Sequence, residues 1–111
     1  MTDRRLTKVS RKQLHQAMFW RKFLRLTRGR VGVLRALEVI SEEEKDDRFR
    51  KLVDEIRAAM ARGATLSESV RSLPGMFSLS VRELVKTAEK TGAWDEILLE
   101  IADGLRDGTF D

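Results

Sequence analysis

Glu89 is the side chain best placed for chemistry in this sequence. It stands in "TAEKTGAWDEIL", residues 87–98, where one apolar helix face runs into Ala88 and a second starts at Trp94. A catalytic carboxylate needs a second acid, a base or a metal ion close by. The neighbouring sequence offers Glu83, Asp95 and Glu96, the sole histidine is His15, and there is no cysteine. Thiolate nucleophiles, thiolate metal sites and disulfides are therefore excluded, and histidine-rich zinc or acid–base schemes go with them. Glu89 falls in the last turn of a helix, where the dipole disfavours negative charge. It is expected to take a specific hydrogen-bond partner: loop backbone, an Arg or Lys, or the N-terminal amides of the next helix, where negative charge is favoured. The carboxylate is read as organising a turn, not as a catalyst.

The other candidates for chemistry are weaker. His15 lies among basic and apolar neighbours and is read as a packing or surface residue. The acidic run Glu42–Asp47 lacks the alternating ligands and glycine of a calcium loop, and is read as a solvated helix junction. The loop around Gly29–Gly32 lacks the G-K-[ST] of a phosphate-binding loop. No catalytic residue, metal site or cofactor is expected.

The elements that must position these residues are helices. Ser10 with Gln13 forms a capping box ahead of a helix over about 11–28. Its apolar stripe is wider than one face can bury, so one of Phe19, Trp20 and Phe23 is expected to stay partly exposed to a partner or a second copy. Gly29 and Gly32 break this helix. A second carries Val33, Leu37 and Ile40 and ends in the acidic run. Asp46 or Asp47 caps a third over about 47–62, with Phe49, Leu52, Val53, Ile56 and Met60 at helical steps. Gly63 stops it. Thr65 with Glu68 opens a short fourth helix, ended by Pro74-Gly75. Ser80 with Glu83 is read as the capping box of a fifth, which stops near Gly92. A sixth presents Trp94, Ile97, Leu98, Ile101 and Leu105 to the core. The fold class is all-α, an antiparallel six-helix bundle, and no sheet is expected. Residues 1–10 are read as a basic flexible segment, 11–106 as the bundle and 107–111 as a frayed tail.

Length agrees with one domain: 111 residues can bury roughly 65% of the unfolded surface. No apolar run reaches the ~20 residues that span a bilayer, and the basic start lacks the apolar core of a secretory signal. The chain is read as cytoplasmic. Its charge is uneven, +10 over residues 1–35 and −6 over the remainder. Such a basic segment suits nucleic acid, an anionic membrane surface or an acidic protein.

A longer pattern narrows the choice. In "ARGATLSESVRSLPGMFSLSVRELVKTAEKTGAWDEILLEIADGL", the residues Gly63, Leu66, Ser67, Pro74, Phe77, Glu89 and Gly92 stand in the order and spacing of the F domain of type II secretion systems. That domain is shared with type IV pilus assembly platform proteins. The N-terminal half, "KVSRKQLHQAMFWRKFLRLTRGRVGVLRALEVI", resembles the family's linker, first helix, glycine break and second helix. The resemblance covers about residues 8–105. Ala88 stands where the family's first turn glycine is common, and Arg30 and Gly32 also depart from the pattern.

The resemblance implies a six-helix bundle in a non-catalytic scaffold. Its partners would be the assembly ATPase and inner-membrane assembly proteins, and its place the inner face of the cytoplasmic membrane. Gly63, Pro74, Phe77, Glu89 and Gly92 would be the family's turn residues. Trp20, Arg21, Lys22, Arg25, Arg28 and Arg30 are the candidate partner- or membrane-facing residues, each basic residue near an anionic leaflet adding ~1 kcal/mol. Self-association is a further expectation. With one domain and no membrane helix, the chain is read as an excised domain or a free-standing relative. The alternative function is a small basic nucleic-acid-binding domain, which no zinc finger, RNA-binding aromatic signature or recognition helix supports.

Overall fold

The computed structural model describes residues 10–71, 73 and 77–110. Pro74 and Gly75, and residues 1–9 of the segment read as basic and flexible, lie outside the described residues. Among the described residues six helices follow one another: α1 (Arg11–Arg28), α2 (Val33–Glu43), α3 (Asp47–Ala61), α4 (Leu66–Arg71), α5 (Leu79–Thr91) and α6 (Trp94–Asp107). Among the described residues no strand occurs and no helix is long and apolar enough to cross a membrane. The all-helical fold class agrees with the sequence reading.

Local chemistry sets most of the helix starts. Ser10 Oγ accepts from the Gln13 amide while Gln13 Oε1 accepts from the Ser10 amide, at 3.0 and 3.1 Å. Asp46 caps α3 through the amides of Arg48 and Phe49. Thr65 and Glu68 form the reciprocal pair at the start of α4. Each arrangement satisfies amides that a helix start leaves without intrahelical partners.

The start of α5 corrects an expectation. Its cap is Ser78, whose Oγ accepts from the Val81 amide, and Ser80 lies inside the helix. Burial decides between the two serines. Starting at Leu79 places Val81, Val85 and Ala88 on one face, all of them buried, just after the buried ring of Phe77.

Packing joins the helices in a ring. Each packs on its neighbours in the chain, and the circuit closes through α1 on α6, the most extensive pair. At the centre lies Trp20, 0% exposed, with Phe19, Phe23 and Phe77 around it at ring-centroid distances of 5.0, 6.1 and 5.8 Å. Phe49 of α3 meets Phe19 edge-on at 5.7 Å. The expected exposure of Phe19, Trp20 or Phe23 is therefore overturned. Aromatic side chains arriving from α3 and from Phe77 cover the part of the α1 stripe that a single partner helix would leave open. The apolar residues that α1 leaves in solvent are Leu14 and Met18.

Beyond α6 the tail carries contacts. Gly108 adopts the left-handed conformation at φ 76°, and the Thr109 amide donates to the Gly104 carbonyl at 2.8 Å. This closes the helix end as Schellman-type caps do. The Phe110 ring lies directly over Gly104, where any Cβ would collide with it. The Phe110 carbonyl accepts from Gln13 Nε2 at 3.1 Å. The expectation of a frayed tail thus meets a segment seated on α1 and α6 as far as Phe110.

Candidate functional site

The end of α5 is built around Glu89. Its carboxylate accepts from the Ser67 amide at 2.9 Å and from the Ser67 hydroxyl. The partner is thus the first turn of α4, where an unpaired amide and the positive dipole end favour an acid. The start of α6, one of the expected partners, is not used. Helical side chains lean back toward their own N-terminus, so a residue in the last turn reaches sideways to a packed neighbour more readily than forward. At the α6 start, the Ala93 amide donates to Thr91 Oγ1 at 3.2 Å instead.

The glycines on either side of this joint make turns that other residues would strain. Gly92 has φ 78° and donates its amide to the Ala88 carbonyl at 2.8 Å. Gly63 has φ 108° between α3 and α4. Both lie in the region where a Cβ is disfavoured. Gly63 lets the chain turn so that Thr65 and Ser67 present their amides, and Gly92 lets α6 fold back along α5. Ser67, quoted in the sequence pattern only as a motif match, emerges as the partner of Glu89.

A recess of about 460 Å³ opens beside this joint. Phe23, Met60, Leu66, Trp94 and Leu98 give it apolar walls, and Glu89 and Asp95 add carboxylates. Trp94, expected in the core, packs against it but is only partly buried. The recess can accept an apolar side chain. Among its described lining residues there is no histidine or lysine, while Arg82 and Lys86 line a separate depression with Glu89.

The acidic run and His15 belong to one structural cluster. Glu44 places both oxygens 2.9 Å from His15 Nε2 and also accepts from the Asp46 amide. The His15 ring stacks on Phe49 at 4.3 Å. Glu43 pairs with Lys22 at 2.9 Å, and Asp47 pairs with Arg50. No group of three or more metal-ligating side chains stands together among the described residues.

The candidate surface residues divide. Trp20 is wholly buried and cannot meet a partner. Arg21 pairs with Asp103 at 2.9 Å, Lys22 with Glu43, and Arg28 with Asp95 at 3.6 Å. These pairs tie α1 to α6 and α2. Arg25 and Arg30 are exposed. Arg30 sits at φ 68°, a conformation that suits glycine better.

Comparison with known proteins gives this architecture a family. The family model for "Type II secretion system (T2SS), protein F" matches residues 19–109. The type IV pilus assembly protein PilC of Pseudomonas aeruginosa is 31% identical over 91 residues, covering 82% of this chain and 24% of that protein. Type II secretion system protein F of Vibrio cholerae is 29% identical over 87 residues, covering 78% of this chain and 21% of that protein. The corresponding protein of Xanthomonas campestris is 31% identical over 71 residues. The chain thus spans about a quarter or less of the length of these relatives. From the aromatic turn of α1 to the tail beyond α6, the chain belongs to the type II secretion system protein F family.

Proposed function

We propose that this domain is a non-catalytic interaction module of a secretion or pilus assembly platform. It would contact the assembly ATPase and inner-membrane components from the cytoplasmic side. The observation that carries the reading is the extent of the family match, residues 19–109, which takes in all of the bundle except the first turns of α1. Two features support it. The best-placed carboxylate, Glu89, is engaged in holding α4 to α5. The acidic run is engaged in a cap, in a pair within α3 and in a pair that ties α1 to α2. The domain acts by presenting a rigid helical surface.

Co-purification from the native host tests this. The tagged domain is expected to retain the assembly ATPase or an inner-membrane component of the same system. Failure to retain either, from membranes in which both are present, overturns the proposal.

A further inference from the structure

We infer that the face of α1 around Met18 is a docking groove for an acidic amphipathic helix of a partner protein. This names the surface used under the interaction reading above, and it rests on that reading. Along α1 the aromatic residues are buried, yet Leu14 and Met18, one turn apart, are 43% and 62% exposed. Met18 stands between two depressions. One, of about 770 Å³, lies between α1 and the start of α3 and reaches Phe49 and Leu52. The other, of about 360 Å³, lies between α1 and the end of α2 and reaches Phe19 and Ile40. Their floors are therefore apolar.

Charge selects the occupant. The acids on this rim already serve the domain itself: Glu44 faces His15, Asp46 caps α3 and Glu43 holds Lys22. Exposed Arg11, Arg48 and Lys45 stand on the same rim. The face turned to solvent is apolar at its centre; its α1–α3 edge is positive, with Arg11, Lys12 and Arg48 against Asp46, while on the α1–α2 side Lys22 and Lys45 balance Glu43 and Glu44. A helix with apolar side chains at steps of three and four, flanked by Asp or Glu, complements both features. A bilayer is the poorer match, because a flat lipid surface can cover Met18 but cannot fill recesses on either side of it.

The test uses three probes on the domain carrying ¹³C-methyl methionine. They are a synthetic helical peptide with Leu on one face and Glu on the other, its counterpart with Lys for Glu, and vesicles of phosphatidylglycerol. The Glu peptide is expected to shift the Met18 methyl signal, with affinity falling as salt rises. Met18→Glu and Arg48→Glu, both at exposed positions, should each weaken binding at least tenfold while leaving the melting temperature unchanged. Equal or tighter binding of the Lys peptide overturns the inference. So does a Met18 shift with vesicles alone, no binding of the Glu peptide at millimolar concentration, or Glu-peptide affinity unchanged by Met18→Glu. Co-purification separates this from the broader reading. Retention of the assembly components by the Met18→Glu domain as well as by wild type rejects the groove and keeps the interaction role. Peptide binding as expected, with nothing retained by wild type, keeps the groove and rejects the role.

Discussion

The Glu89 carboxylate holds the Ser67 amide at 2.9 Å across twenty-two residues of sequence. It joins the last turn of α5 to the first turn of α4, a six-residue helix too short to persist without help. A carboxylate in a poor position on its own helix is placed well on its neighbour's.

Glu89→Ala is therefore expected to cost about 1.5–3 kcal/mol, the range for a hydrogen bond to a charged group. Ser67→Ala removes the hydroxyl contact alone and should cost less. Urea denaturation of both single variants and the double variant gives the coupling between them. A Glu89→Ala midpoint equal to wild type would show that the joint contributes nothing.

Trp20 and Trp94 should differ sharply in fluorescence. A Trp94→Phe domain, leaving only buried Trp20, is expected to emit at short wavelength and resist iodide quenching. Trp20 Nε1 has no hydrogen-bond partner among the described residues. Trp20→Phe removes that unsatisfied donor while keeping an aromatic ring, and should be far milder than Trp20→Ala, for which about 3–5 kcal/mol is expected. Strong iodide quenching in Trp94→Phe would contradict the buried position.

Gly104→Ala should displace the Phe110 ring. Its cost, about 1–3 kcal/mol for an overpacked site, is expected to overlap that of Phe110→Ala, because both lose the same contact. In a Phe110→Ala background the glycine change should then be nearly silent. Full additivity in thermal melts would argue that Phe110 does not sit on Gly104.

Acid should release the α4 cap. The amide and hydroxyl of Thr65 hold Glu68 below its ordinary value of 4.5. A lowered folded value means that the charged cap stabilises the fold above the unfolded carboxylate range and that this contribution is lost as pH falls through the folded value. Wild type should therefore exceed Glu68→Gln in stability near neutrality, and the difference should shrink on acidification. A gap that stays constant down to the acid limb would exclude the charge as its source.

Features set within three or four residues were legible in the sequence: the caps at Ser10 and Thr65, the cap of α3 to within one residue (Asp46 or Asp47), and the stop at Gly92. Features that depend on distant contacts were not. Ser78 and Ser80 are both plausible caps, and only the burial of Phe77 and Val81 separates them. The breadth of the α1 stripe signalled crowding, but whether the excess faced solvent depended on Phe49 and Phe77. Glu89 was rightly expected to need a partner, yet its partner lay in a helix two elements away from the one proposed. The seated tail did carry a local signal in Gly108 followed by Phe110, four and six residues beyond a small residue at 104.

The bond from Gln13 to Phe110 brings the entrance and the exit of the bundle together. Polypeptide joined at one end of the domain therefore emerges beside polypeptide joined at the other. The bundle is suited to insertion as a cassette, whose folding leaves the flanking segments close together. The same adjacency makes it a natural subject for circular permutation: a short linker from Phe110 to Ser10 would bridge a gap that the native fold has already closed, and new termini could be opened in an exposed connection elsewhere in the ring.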